Sequence, residues 1–224
     1  MPSVRPSPKV AVYSCNFGNY RNELQQVKQF NKFDARIDYF FFTDRPQLAQ
    51  LASQWTIIRR PLIESSFMAS ARQTSKHVKF MLPEELSAYD IIVWLDSSKL
   101  RRVLYDNICS LFEKYPGYDV FNLRHPQRKT MQDELRFTLR WRIENASGSK
   151  FLQTISDFKS DFDLPETCVI VRRNQTNVND AFAKCYGLIN EYHLKRDQNV
   201  YNFALHGIVV PKVLPTIAAV LNES

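Results

Sequence analysis

The chain has 224 residues, of which 44% are hydrophobic and 24% are charged, and its formal net charge is +7 at pH 7. This composition excludes a disordered protein and fits one globular domain. The positive charge would attract nucleic acid, an anionic membrane or a phosphorylated small molecule, and charge alone does not choose among them.

The sequence also indicates where the protein is located and the state of its cysteines. No stretch reaches the roughly 18 to 20 apolar residues of a membrane helix, and the Pro-rich start lacks the apolar segment of a signal peptide. The four cysteines form no Cys-x-x-Cys pair, which argues against a structural zinc site and a dense disulfide scaffold. We expect a cytoplasmic protein with free buried thiols, a flexible segment over 1–8 and a single domain over 9–224.

The first half of the chain alternates strands with helices. Its apolar runs predict strands over 9–14, Ile37–Thr43, Trp55–Arg59 and 90–95. Helical patterns cover 23–33 and 70–82, the second stopped by Pro83. This alternation predicts an α/β fold with a parallel, doubly wound sheet.

The second half is less regular but continues the same theme. Predicted strands cover 118–123 and 168–172. Predicted helices cover 107–114, 130–145, 151–161, 178–192 and 197–205.

Three polar loops follow predicted strands, and in such sheets ligands bind beyond the carboxyl ends of the strands. These loops are 16–20, Thr43-Asp44 and Asp96-Ser97-Ser98. Asp96 comes directly after a buried strand, where a carboxylate could hold Mg²⁺ or Mn²⁺ and neutralise a leaving diphosphate. The alternative is that Asp96 caps a turn or a helix.

A cationic helix face precedes that strand. Arg72 and Lys76 are four residues apart, and Lys79 follows at i+3, so the three side chains share one face. They could meet a diphosphate or a sugar carboxylate, and the alternative is a solvated basic face.

Two later segments combine cations, imidazoles and carboxylates. His125 and Arg128 come shortly before Asp133 and Glu134 and are candidates for acceptor binding or acid–base work, although a lone histidine in a loop is more often structural. Asp197 and Gln198 precede the last predicted helix, and His206 follows it. Asp197 could line a site or simply cap that helix.

In their order along the chain, six blocks resemble the glycosyltransferase-like family of plant mucilage-related and turgor-regulation proteins, which has bacterial and viral members. The blocks are 13–20, 42–44, 75–79, 94–96, 125–128 and 196–198, and the resemblance extends over roughly residues 9 to 207.

The resemblance implies a GT-A type nucleotide-diphospho-sugar transferase fold, with a mostly parallel central sheet flanked by helices. It implies donor-site roles for Asn16, Gly18, Tyr20, Thr43 and Asp44. Arg72, Lys76, Asp197, Gln198 and His206 are similar to donor, catalytic and metal positions of retaining enzymes related to glycogenin. Those enzymes carry Asp-x-Asp where this chain has Asp96-Ser97-Ser98, which leaves one carboxylate instead of two.

We therefore expect a glycosyltransferase that moves a sugar from a nucleotide-diphosphate donor, UDP rather than GDP, to a glycan or other hydroxyl acceptor. Asp96 and His206 would bind Mn²⁺ or Mg²⁺, and Ser98 would join the donor site. Asp197 is the first catalytic candidate, followed by Gln198 and Glu134. The alternatives are a catalytically silent or hydrolytic domain of the same fold and, more remotely, a basic nucleic-acid-binding module.

Overall fold

A computed structural model describes residues 6–18, 20–48, 54–216 and 221, so 1–5 of the predicted flexible segment lie outside the described residues. The chain forms a seven-stranded sheet flanked by helices, which confirms the α/β class. The strands are β1 (Val10–Cys15), β2 (Ile37–Thr43), β3 (Trp55–Arg59), β4 (Ile91–Leu95), β5 (Val120–Arg124), β6 (Pro165–Arg173) and β7 (Lys212–Leu214). The helices are α1 (Leu24–Gln29), α2 (Ser70–Phe80), α3 (Tyr105–Lys114), α4 (Met131–Arg140), α5 (Ala146–Thr154), α6 (Thr176–Glu191) and α7 (Tyr201–Leu205).

The strands lie in the order β3-β2-β1-β4-β6-β5-β7. All neighbouring pairs are parallel except those of β6, which runs antiparallel to both β4 and β5. The sheet is therefore mostly parallel, as expected, and β6 is the strand that runs in the opposite direction. Because β6 is reversed, its start lies at the edge where the other strands end, and Val169 pairs with Leu95.

Side chains that alternate along the buried strands pack into two hydrophobic cores, one on each face of the sheet. In β1, Tyr13 and Cys15 face the core built with α2 and α4–α7, whereas Val10 and Val12 face the core built with α1 and α3. Both faces of β1 are therefore covered, as expected for a parallel strand at the centre of a sheet. All four cysteines are free, and three of them are buried as predicted, whereas Cys109 is half-buried. Over the described part of the chain, no helix has the length and apolar character to cross a membrane.

Two helices have bounds that differ from the predicted ones, because Asn145 is the N-cap of a helix. The predicted helix over 130–145 ends at Arg140, and Arg142 has a φ of 53° that no α-helix continues. The Asn145 side chain accepts a hydrogen bond from the Ser147 N–H and caps α5. The predicted helix over 151–161 is therefore wrong in position, since α5 covers Ala146–Thr154.

Other boundaries moved for local reasons. Helix α1 is shorter than the predicted 23–33, since Phe30 is extended and packs against Trp55. The helix predicted over 197–205 divides into a 3₁₀ turn, Asp197–Asn199, and α7. The short edge strand β7 was not predicted.

Candidate functional site

A cleft of about 180 Å³ opens where β1 and β4 end, and we call it the central cleft. Five of the predicted site residues line it: Asn16, Tyr20, Arg72, Asp96 and Ser98. They come from three segments far apart in sequence, the turn after β1, helix α2 and the turn after β4. The parallel arrangement of β1 and β4 is what brings these segments together.

The turn after β1 is fixed by Gly18 and Asp44. Gly18 adopts a φ of 64°, and its N–H donates to Asp44 Oδ1 at 2.9 Å. Asn16 Nδ2 donates to the Tyr20 carbonyl at 3.0 Å and closes the turn from inside. Thr43 is buried, and its Oγ1 accepts from the Arg45 N–H. Gly18, Thr43 and Asp44 thus shape the wall of the central cleft without lining it.

Asp96 begins the turn that follows β4. Its Oδ1 accepts a 2.8 Å hydrogen bond from Trp94 Nε1 and lies 3.6 Å from Lys79 Nζ. Burial raises the pKa of Asp96, and the ammonium of Lys79 opposes that rise. Nevertheless, 39% of the side-chain surface remains exposed to the cleft. Asp96 Oδ2 has no partner among the described residues, so one carboxylate oxygen is available to a ligand.

Asp96 belongs to a quartet of charges with Lys76, Lys79 and Asp197, and these other three side chains are largely buried. Lys79 Nζ lies 2.7 Å from Asp197 Oδ2, and Lys76 Nζ lies 3.4 Å from Asp197 Oδ1. Thr167 Oγ1 donates to the same Oδ2 at 2.9 Å. Two ammonium groups thus face two carboxylates, and the quartet is close to neutral.

The quartet sets the ionisation of its members. Burial by itself would raise the pKa of Asp197, but Lys76, Lys79 and Thr167 outweigh it and hold that pKa well below its usual value. Burial lowers the pKa of Lys79, but Asp197 and Asp96 reverse the effect and raise it. For Lys76 burial prevails and its pKa is lowered. Asp197 is therefore a permanent anion and a poor proton acceptor.

Glu144 positions the turn that carries Asp197. Its buried carboxylate accepts hydrogen bonds from the backbone N–H groups of Lys195 and Arg196 and from Asn199 Nδ2, at 2.8 to 3.0 Å. Because these partners lie 51 to 55 residues away, no local pattern in the sequence marks Glu144. Gln198 lies half-buried on the same turn.

Glu134 is fully buried and holds two arginines together. Arg128 Nη1 lies 2.9 Å from one carboxylate oxygen and Arg196 Nε lies 3.0 Å from the other. A carboxylate with no exposed surface cannot contact a substrate, so the catalytic role expected for Glu134 does not fit its position. It anchors Arg196, the neighbour of Asp197.

Both ring nitrogens of His125 face protein groups. Nδ1 accepts from the backbone N–H groups of Gln127 and Arg128 at 3.2 and 3.0 Å, so the proton of the neutral ring is on Nε2. Nε2 lies 3.7 Å from Glu134. Burial lowers the pKa of His125 below its usual value. His125 thus stabilises the turn after β5 and is not available as a general base.

His206 lies apart from Asp96. Its Nδ1 lies 3.1 Å from Asp161 Oδ2, and its ring packs edge-on against Phe158. None of these three residues lines the central cleft. The expected pairing of Asp96 with His206 at one metal ion is therefore absent from the described contacts.

Glu23 is a cleft residue that the sequence analysis missed. It lines the central cleft beside Ser97, whose hydroxyl donates to Glu23 Oε2. The hydrogen bond joins positions 74 residues apart, a relation that only the folded sheet reveals.

The donor set fits a divalent ion that arrives with a substrate. Among the described residues, no group of three His, Cys, Asp or Glu side chains could hold a metal ion. Mg²⁺ and Mn²⁺, however, commonly bind through one or two carboxylates together with substrate phosphates and water. Asp96, with one unpartnered oxygen at the cleft, meets that requirement.

No protein family matches the sequence, and no curated protein matches it. Among solved structures, the chain is similar to the apo form of mouse xyloside xylosyltransferase 1, with 15% sequence identity and a TM-score of 0.48. The alignment covers 92% of this chain and 85% of that chain. Similarity at this level does not assign an activity.

Proposed function

We propose that the protein is a glycosyltransferase of GT-A type that transfers a sugar from a nucleotide-diphosphate donor to a hydroxyl acceptor with the help of Mn²⁺ or Mg²⁺. One observation carries the proposal: Asp96 presents an unpartnered carboxylate oxygen to the central cleft, directly in front of the three largely buried side chains that complete its charge-balanced quartet. A carboxylate so placed suits a metal ion better than a simple turn cap.

The charges at the cleft match a leaving diphosphate. The quartet sums to about zero, the charges of Arg21 and Glu23 at the cleft cancel, and Arg72 adds one positive charge at the cleft wall. A divalent ion would bring the total to about +3, against the two to three negative charges of a departing nucleoside diphosphate. When bound, the ion supplies the positive charge that stabilises this leaving group.

The residues of the chain would share the remaining work. Asn16 and Tyr20 form the wall against which a base and ribose can lie, and Arg72 and Ser98 offer donors to phosphate oxygens. We favour uridine over guanosine in the donor.

Asp197 has a positioning role in this proposal. Its lowered pKa prevents it from accepting the acceptor proton, whereas its contacts hold the ammonium groups of Lys76 and Lys79 beneath Asp96. Gln198, on the same turn, is the neighbouring candidate for a contact with the donor sugar.

The test is a screen of nucleotide sugars, with and without Mn²⁺, for thermal stabilisation and turnover. We expect stabilisation by a uridine diphosphate sugar only with metal, and a loss of turnover by about 100-fold or more in Asp96→Ala. Asp180→Ala, an exposed carboxylate on α6, is the matched control and should behave as wild type. Full activity of Asp96→Ala in chelator would refute the proposal.

Measuring turnover at increasing Mn²⁺ concentrations tests the role of His206. Since His206 pairs with Asp161 outside the cleft lining, we expect His206→Ala to leave the required metal concentration unchanged. A raised requirement would restore His206 as a metal ligand. Release of free sugar without an acceptor product would favour the hydrolytic alternative.

A further inference from the structure

A basic surface extends from the central cleft around the turn after β4. Ser98 lines both the central cleft and a neighbouring groove, and Lys99 and Arg101 line both that groove and a further cleft beside β5. We call the two outer depressions together the basic groove. The basic groove and the central cleft thus adjoin each other at one short segment, 98–101.

Cationic side chains outnumber carboxylates in the lining of the basic groove. Among the described residues, the lining contains five cationic side chains and one carboxylate, that of Glu166. The cations are Lys32, Lys99, Arg101, Arg102 and Arg124, of which Arg124 pairs with Asp163. In the half that contains Lys32 and Arg102, no described lining residue is a carboxylate.

Three of these cations have no ion-pair partner within the part of the chain that the structure describes. Lys32, Lys99 and Arg102 are exposed, and none forms an ion pair with another described residue. The exposed Arg36, in contrast, pairs with both Asp34 and Asp106. Cations that stay unpaired and together on one concave surface raise the local concentration of anions.

We propose that the basic groove binds the acceptor, and that this acceptor is a saccharide bearing phosphate or carboxylate groups. The inference rests on the proposed function, since an acceptor hydroxyl must reach the donor beside Asp96. The basic groove reaches the central cleft at Ser98, two residues after Asp96. An anionic saccharide lying along Lys99 and Arg102 would therefore place a hydroxyl at the cleft.

The lining also distinguishes this ligand from nucleic acid. Single-stranded nucleic acids are held by exposed aromatic rings that stack on the bases. The only aromatic residue that lines the basic groove within the described chain is Phe30, and it is buried in a core with Phe33, Tyr39 and Trp55. Charge without a stacking surface favours phosphate or carboxylate groups on a sugar.

Direct binding measurements on the full chain test the inference. The probes are four: an uncharged tetrasaccharide, a hexuronate tetrasaccharide, a phosphorylated tetrasaccharide and a single-stranded tetranucleotide. We expect one of the two anionic saccharides to bind at least about tenfold more tightly than the uncharged one, with affinity falling as salt rises. Whichever binds more tightly identifies the anionic group.

Two double variants with equal charge change provide the control. Lys99→Glu with Arg102→Glu should weaken binding of the anionic saccharide about tenfold or more. Arg140→Glu with Lys150→Glu, exposed on α4 and α5 outside these clefts, should leave it within about twofold. Equal loss in both variants, equal binding of the uncharged probe, or tighter binding of the oligonucleotide would overturn the inference.

Failure of the inference can be told apart from failure of the proposed function. Stabilisation by a nucleotide sugar with Mn²⁺ reports on the central cleft and does not involve the saccharide probes. A chain that binds the donor but treats charged and uncharged saccharides alike retains the function and loses this inference. A chain that binds the anionic saccharide but no nucleotide sugar loses the proposed function.

Discussion

At the scale of single residues, Asp197 has the largest electrostatic consequence. Its carboxylate is the shared partner of Lys76 and Lys79, whose side chains are only 9% and 7% exposed. A buried cation that loses its counter-charge still has its desolvation penalty. Removing one partner of a buried ion pair therefore destabilises a protein by more than the intact pair stabilises it.

We therefore predict that Asp197→Asn lowers the free energy of unfolding by about 3 to 5 kcal/mol at neutral pH. The pKa of Asp197 is lower in the folded protein than its value of 3.8 in the unfolded chain. Its contribution to the free energy of unfolding is therefore fully present above pH 3.8 and is lost as the pH falls through the folded pKa. The difference in free energy of unfolding between Asp197→Asn and wild type should thus be constant from pH 7 to about pH 4 and decrease at lower pH. Urea unfolding across this range measures it.

Asp163→Asn is the matched control. Asp163 pairs with Arg124 at 3.2 Å, but both side chains are about half exposed. Exposed pairs contribute about 0 to 1 kcal/mol, so this variant should remain close to wild type. A small effect of Asp197→Asn, equal to that of the control, would show that the quartet is solvated.

At the scale of elements, the turn after β1 and helix α2 meet at Gly18. Its φ of 64° disfavours any side chain, and a Cβ at this position would lie 3.3 Å from Ala71 Cβ on α2. A substitution here therefore strains the turn and presses on the helix that carries Arg72.

We predict that Gly18→Ala destabilises the fold by about 1 kcal/mol and also weakens donor binding, since the turn shapes the central cleft. Gly187→Ala, inside α6, meets nothing within 4 Å and has an ordinary φ, so it should stabilise by about 0.5 to 1 kcal/mol. Thermal unfolding with and without nucleotide sugar measures both. Unimpaired donor binding in Gly18→Ala would show that the turn after β1 does not contribute to the donor site.

The same elements show what the sequence can predict. The bounds of β2 and β3 were predicted correctly because each is a continuous β-prone run closed by turn residues. The antiparallel direction of β6 was not, since an apolar run carries no information about the direction of its neighbours. The cleft positions of Asn16 and Asp96 followed from the parallel-sheet rule, and Arg72 was found as part of a cationic helix face. Glu23 and Glu144 could not be found, because each acts through partners more than 50 residues away.

At the scale of the whole molecule, both cores pack on the same sheet. Strands β1 and β2 contribute alternate residues to each, so neither core can be lost while the other keeps its strands. Helix α2 is tied to α6 across the first core by Gln73, which donates to Tyr186 and Asn190 at 2.7 Å.

We predict that the chain unfolds in a single cooperative transition, with the calorimetric enthalpy equal to the van't Hoff enthalpy. Far-ultraviolet circular dichroism and tryptophan fluorescence should give the same midpoint, since Trp55 and Trp94 report on different cores. Two separate midpoints would contradict the prediction of one domain over residues 9–224.

The reversed direction of β6 also matters for protein engineering. Since β6 begins beside the end of β5, with Pro165 opposite Arg124, the connection over 158–163 enters at the ligand edge of the sheet. In a wholly parallel sheet, the loop that enters a strand lies at the opposite edge, away from substrates. The connection over 158–163 lines a depression separate from the basic groove. Lengthening it would therefore add surface at the ligand edge of the sheet while β1, β4 and α2 keep their sequence.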